Sequence, residues 1–324
     1  MASPGEPLRV VFWGTPDFAV PTLKVLIASE QVVGVVCQPD RPQGRGRRVL
    51  PPPVKQLAVR QGVPVHQPQK LKGDLLADEL AALKPDLFVV AAYGKILPRA
   101  YLEIPAHGCL NVHASLLPRY RGAAPIAWAL INAERETGVT IMQMDEGMDT
   151  GPMLLAEGLP IGPEETAEEL EPRLAALGAR LLVEALRRLK AGRLVSHPQP
   201  HDQATYAPML KKEDGWIDWS RPARELHNRV RGLCPWPTAY TTLDGKLLKV
   251  LRSRCGEALD QQVPGTVLGA GDEGISVATG QGTLLLTEVQ LEGRRRMRAA
   301  EFLQGHRIPA GIVLGATPRP GGGT

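Results

Sequence analysis

Asn111, His113 and Asp149 carry the side-chain types in this chain best suited to donating hydrogen bonds and moving protons. Asn111-Val112-His113 ends a short apolar run. The two-residue period of a strand puts the amide and the imidazole on one face, with Val112 on the other. An amide N–H and an imidazole are both donors, and the imidazole changes charge near neutral pH. Asp149 lies in Asp145-Glu146-Gly147-Met148-Asp149-Thr150-Gly151, a glycine-flanked acidic turn after a second strand-like run. That turn lacks the D-x-D-x-D-G spacing of a calcium loop. The four cysteines are scattered with no C-x-x-C pair, so neither a disulfide framework nor a zinc site is expected.

A second kind of chemistry is written into Pro39–Arg48, PDRPQGRGRR. Arg41, Arg45, Arg47 and Arg48 sit among glycines and prolines, which favours an exposed loop. Guanidinium groups make bidentate contacts to phosphate and stack on bases. A further cluster, Arg294-Arg295-Arg296, lies near the C-terminus. The formal net charge of +4 falls entirely in residues 211–324, a modest bias toward an anionic partner. Gly14-Thr15-Pro16-Asp17, by contrast, is not a G-x-G-x-x-G fingerprint and is read as a tight turn into a helix.

These residues must be placed by the elements around them. Leu8–Trp13, Gln31–Cys37, Asp86–Ala92 and Cys109–His113 are short apolar runs separated by helix-like stretches, one of them Val54–Gln61. Such runs read as strands buried on both faces, and their order predicts an α/β fold, a Rossmann-like, doubly wound and mostly parallel sheet. Val139–Met144 and Met153–Leu159 are predicted as further strands. Thr166–Ala191 is predicted as a helix, opened by a capping box of Thr166 with Glu169 and kinked or broken at Pro172. The expected domains are 1–192, a linker over 193–210, a second domain over 211–315 and a disordered tail over 316–324. A helix at Ala223–Leu233 and short strands with turns at Asp244-Gly245, Gly271-Asp272 and Gly280-Gln281-Gly282 predict a smaller C-terminal β-barrel, OB-like in type. No run of 18 apolar residues and no secretory signal is visible, so a cytoplasmic protein without a membrane span is expected.

NVHASLLPRYRGAAPI together with ETGVTIMQMDEGMDTGPM resembles the folate-dependent formyltransferases. N-x-H, S-L-L-P and D-x-G-x-D-T-G at this separation form a specific combination. FWGTPDFAVP, QPDRPQGRGRR and Pro235-Trp236-Pro237 are similar to the members that act on methionyl-tRNA, and the likeness runs from about Arg9 to about Gly305. The resemblance implies Asn111, His113 and Asp149 as the catalytic set and Ser115, Leu116, Leu117 and Pro118 as the folate-contacting loop. It implies 10-formyltetrahydrofolate as donor, with no metal, and the α-amine of initiator methionyl-tRNA as acceptor. On that reading Arg41, Arg45, Arg47, Arg48, Arg294, Arg295 and Arg296 are candidate tRNA contacts, and the protein is expected to act as a monomer. A small acceptor such as an amino-sugar nucleotide is the alternative.

Overall fold

In the computed structural model, residues 6–43, 48–71, 75–257 and 262–316 are described. The chain forms two compact units. The first comprises residues 1–125, 136–160 and 171–208, and the second comprises 126–135, 161–170 and 209–324. The chain therefore passes between the units more often than a single break near residue 192 would require.

The first unit is built on a seven-stranded sheet in the order Val65–His66, Gln31–Val36, Arg9–Gly14, Leu87–Ala91, Cys109–His113, Glu136–Gln143, Met153–Pro160. The first five strands are mutually parallel, and the last two are added antiparallel. The parallel sheet expected from the unbroken apolar runs holds, and for the expected reason: every residue of Leu87–Ala91 is buried, as both-face coverage by helices demands. Strand order reverses between Arg9–Gly14 and Leu87–Ala91. In open α/β sheets, the carboxyl ends of strands beside such a reversal form a ligand crevice.

The helix runs unbroken over Ala167–Lys190 with Pro172 inside it, so the predicted break is absent. Pro172 lies six residues into the helix, where its missing N–H removes only the bond to the Glu168 carbonyl. At the start, the Glu169 carboxylate accepts from both the N–H and the hydroxyl of Thr166, at 3.0 and 2.9 Å. Further along, Gly178 lets the helix approach the sheet: a Cβ there would meet Val112 Cγ1 at 2.6 Å. Val112 thus faces the helix and is 2% exposed, which turns Asn111 and His113 to the opposite face.

Two further expectations are revised. Arg41–Gln43 and Arg48–Leu50 pair as a short antiparallel hairpin, where sequence composition suggested only a loop. Residues 193–208 pack as part of the first unit instead of running as a linker. Tyr206 and Ala207 pair with Arg121 and Gly122, His197 bridges to Met153, and Gln199 is buried. Polar composition suggested a solvated connector, but Gln199 and Thr205 spend their side chains on the backbone of Asp149, Gly151 and Tyr120. Of the 316–324 tail, residues 317–324 lie outside the described residues.

The second unit carries a six-stranded antiparallel sheet in the order Ala239–Leu243, Lys246–Gly256, Thr283–Leu291, Gly274–Ala278, Val267–Gly271, with Met297–Arg298 added on Thr283–Leu291. Asp244 and Gly245, with φ of 50° and 74°, make the tight turn expected between the first two of these strands. Trp219, Leu226, Val230, Leu248, Val277 and Phe302 are among its core. Among the described residues, no helix is long and apolar enough to cross a membrane.

Candidate active site

The Cys109–His113 strand, one strand away from the sheet reversal, delivers its polar pair at its carboxyl end. There the side chains meet one carboxylate. Asn111 Nδ2 donates to Asp149 Oδ1 at 3.3 Å. The Gly122 N–H donates to Asp149 Oδ2 at 2.8 Å. His113 Nδ1 lies 3.6 Å from the same Oδ2, too long for a hydrogen bond. The other ring nitrogen, Nε2, lies 3.0 Å from the Tyr120 carbonyl. A carbonyl only accepts, so Nε2 carries a proton and Nδ1 is the nitrogen turned toward Asp149. His113 is 6% exposed, and Asp149 keeps 16% of its side chain open. An amide, an imidazole and a carboxylate are therefore gathered at one partly wet point.

Asp149 reaches that point from an unusual backbone conformation, with φ of 54°. Non-glycine residues pay for the left-handed region and hold it only when neighbours over-determine it. The acidic turn supplies part of that hold, since Asp145 Oδ1 accepts from the Gly147 N–H at 3.0 Å and from Thr150 Oγ1 at 2.7 Å. Asp145 thus shapes the turn. Gly122, which supplies the N–H to Asp149, has φ of 117°, and a Cβ there would stand 2.8 Å from the Ala207 carbonyl oxygen. Only glycine fits.

The Ser115–Pro118 segment follows directly and is fixed from within. Ser115 Oγ donates to the Arg119 carbonyl at 2.6 Å. Thr140 Oγ1 donates to the Ser115 carbonyl at 2.7 Å and accepts the Leu117 N–H at 3.1 Å. Ser115 and Leu117 are buried, at 0% and 6% exposure, while Leu116 is half-buried over Gly138. The Leu117–Pro118 bond is cis. The Ser115 hydroxyl is thus already committed, and Leu117 is part of the core.

Of the arginines singled out by sequence, Arg41 is exposed at the start of the hairpin. The backbone of Arg48 lies in the returning arm, and Arg45 and Arg47 lie outside the described residues. In the second unit, Arg295 pairs with Glu301. Arg296 donates from Nε and Nη2 to Glu288 at 2.7 and 3.0 Å and from Nη1 to Glu168 at 2.8 Å. Those bonds raise the pKa of Arg296 above its ordinary value and leave its guanidinium already satisfied. Two buried residues that sequence reading did not single out, Arg121 and Gln199, stand behind the Asp149 turn, at 2% and 4% exposure. Among the described residues, no group of three or more His, Cys, Asp or Glu side chains is arranged to hold a metal ion.

A mostly parallel sheet that gathers hydrogen-bond donors and a carboxylate at a strand's carboxyl end makes the chain an α/β protein with groups suited to proton-transfer chemistry. Residues 8–186 match the family model described as formyl transferase, and residues 209–307 match that of the formyl transferase C-terminal domain. The chain belongs to the formyl transferase family. It is 54% identical over 309 residues to the methionyl-tRNA formyltransferase of Citrifermentans bemidjiense, covering 95% of this chain and 96% of that protein. It is also 54% identical over 310 residues to the methionyl-tRNA formyltransferase of Geobacter sulfurreducens, covering 95% and 97%. The fold is similar to the crystal structure of an N-formyltransferase from Helicobacter canadensis in complex with folinic acid and dTDP-3-aminofucose, with a TM-score of 0.64 at 19% identity, covering 86% of this chain and 99% of that one.

Proposed function

We propose that the chain transfers the formyl group of 10-formyltetrahydrofolate to the α-amine of methionine carried by initiator methionyl-tRNA, giving N-formylmethionyl-tRNA for translation initiation. The observation that carries the chemistry is the convergence of Asn111, His113 and Asp149 on one point. The amine nitrogen attacks the formyl carbon, a tetrahedral oxyanion forms, and the bond from that carbon to the folate N10 breaks. Asn111 Nδ2 and His113 Nδ1 lie within 3.3 and 3.6 Å of the same carboxylate, a spacing in which the amide N–H, and Nδ1 once it takes up a proton, can bracket a developing oxygen. Once the neutral amine has bonded to the formyl carbon, Asp149 accepts the proton its nitrogen gives up, directly or through water, and N10 leaves with a proton returned to it. The balance of protons is closed without a metal.

The same reading places the donor against the Ser115–Pro118 loop, whose backbone shape Thr140 maintains. Because Leu117 and the Ser115 hydroxyl are turned inward, Leu116 and the loop backbone form the folate-facing surface, with Pro118 closing the turn. The tRNA is met by Arg41, Arg45, Arg47 and Arg48, with Arg294 and Arg295 in the second unit. Arg296 serves instead as an anchor between Glu288 and Glu168. Methionyl-tRNA is favoured over an amino-sugar nucleotide by the named relatives at 54% identity over nearly the full chain. The protein works in the cytoplasm as a monomer. The test uses 10-formyltetrahydrofolate labelled in its formyl carbon with methionyl-tRNA, followed by mass spectrometry of the methionine released on deacylation. The label should appear on the α-amine with wild type and be strongly reduced with Asn111→Ala. Absence of transfer by wild type would overturn the proposal.

A further inference from the structure

Arg121 is among the largest fully buried side chains of the protein, and its surroundings show what it holds. Its Nε and Nη2 donate to Gln199 Oε1 at 3.0 and 2.7 Å. Nη2 also lies 3.2 Å from His201 Nδ1, which must accept because a guanidinium only donates. With its oxygen occupied, Gln199 turns its Nε2 to two carbonyls, that of Asp149 at 2.9 Å and that of Gly151 at 2.6 Å. All four hydrogen-bonding positions of the Gln199 amide are thereby filled. The reverse orientation would set NH₂ against guanidinium donors and oxygen against two carbonyl oxygens, so only one orientation is tenable. The two carbonyls flank the turn in which Asp149 holds φ of 54°.

The segment bearing Gln199 also grips the loop on the other side of the site. Thr205 Oγ1 accepts the Tyr120 N–H at 2.9 Å, and the Thr205 carbonyl accepts the Arg121 N–H at 2.9 Å. The Ala207 carbonyl accepts from the N–H of Ala123 at 2.9 Å. One strap of chain therefore ties the 118–124 loop, which offers Gly122 N–H to Asp149 and the Tyr120 carbonyl to His113, to the turn that bears Asp149.

We infer that Gln199 and Arg121 are positioning residues for formyl transfer: Arg121 orients the Gln199 amide, and the amide fixes the Asp149 backbone so that its carboxylate meets Asn111 and His113. The inference rests on the reading of Asp149 as the catalytic carboxylate. Both side chains are buried and spend their bonds on the protein's own groups. Their effect should fall on turnover and not on binding, because misplacement of a catalytic group by about 1 Å costs on the order of 10²-fold in rate.

Gln199→Glu separates this role from a merely structural one. The substitution keeps size and the acceptor for Arg121 but sets an oxygen against both carbonyls. The purified full chain should melt cooperatively, with kcat reduced roughly 10- to 100-fold and KM for each substrate within about threefold of wild type. Added to Asp149→Asn, it should lower kcat by less than about threefold more, since it acts through that residue. Arg121→Lys, measured in the same way, covers the case in which Gln199→Glu does not fold. Wild-type kcat in a folded Gln199→Glu, a loss carried by KM, or a loss that multiplies in full with Asp149→Asn would overturn the inference while leaving the reading of Asp149 intact. Wild-type kcat in Asp149→Asn alone would remove that reading and this inference with it.

Discussion

Asp149→Asn keeps the shape of the side chain and removes its charge. When the imidazole carries a second proton, opposite unit charges 3.6 Å apart attract by about 4–5 kcal/mol at an effective dielectric of about 20. Solvent reaches 16% of the Asp149 side chain, which screens the pair below that ceiling. The loss of the charged acceptor can be bounded a second way. Its oxygens serve Asn111 Nδ2 and the Gly122 N–H, and an asparagine can accept from only one of them while presenting NH₂ to the other. A hydrogen bond to a charged group contributes about 1.5–3 kcal/mol. Both routes describe the same interaction, so they do not add, and together they place the transition-state loss at about 2–4 kcal/mol. At about 1.4 kcal/mol per decade this is a decrease in kcat of roughly 30- to 10³-fold. The assay is single-turnover formylation of methionyl-tRNA at saturating donor, with quenched samples resolved into formylated and free aminoacyl-tRNA. Folate affinity, titrated alongside, should stay within about threefold. Combined with His113→Ala, the double variant should lose little more than the worse single one, because residues that act as a unit are grossly non-additive. A kcat within about threefold of wild type would refute the role given to the carboxylate, and losses that simply multiply would refute the coupling.

Other consequences can be checked separately. Thr140→Val strips the bonds that hold Leu117 N–H and the Ser115 carbonyl, leaving buried polar groups unmade at about 1–3 kcal/mol each. Binding of a folate analogue should weaken by roughly tenfold or more in a protein that still melts cooperatively, and unaltered affinity would take the loop out of the donor site. Arg45→Ala with Arg47→Ala should lower the salt dependence of tRNA affinity by about one to two counterions, whereas Arg296→Ala, which breaks pairs to Glu288 and Glu168, should lower Tm and leave that slope unchanged. Burial holds the His227 imidazole below its ordinary pKa, more than Glu164 raises it. The unfolded chain therefore takes up a proton near pH 6.5 that the folded protein refuses, and stability falls as pH drops below about 6.5. His227→Gln should flatten the decline of Tm between pH 7 and 5, and an unchanged decline would place the acid sensitivity elsewhere.

Much of the site was legible because local rules govern it. The Cys109–His113 strand has the bounds read from its apolar run, and the period of two sent Val112 toward the helix and Asn111 with His113 to the open face. The parallel sheet was legible for the same reason, since strands buried on both faces lose their polar alternation. Other features depend on distant partners. Gln199 meets Arg121 across 78 residues of sequence, and the run SHPQPHDQATYAP reads as a connector because nothing local shows that its polar groups bond backbone within the same unit. The ion pairs of Arg296 escaped notice likewise, since Glu168 lies 128 residues away. The break expected as one outcome at Pro172 does not occur, because Pro172 lies only six residues into the helix, where a single backbone bond is missing.

The most direct test of the central claim is competition among acceptors. The wild-type chain, supplied with 10-formyltetrahydrofolate, is given initiator methionyl-tRNA, free methionine and an amino-sugar nucleotide, each across a concentration series, and kcat/KM is compared. Methionyl-tRNA should exceed both small amines by several orders of magnitude, and raised salt should erode that advantage as phosphate contacts weaken. Equal or greater kcat/KM with the amino-sugar nucleotide, insensitive to salt, would contradict the account.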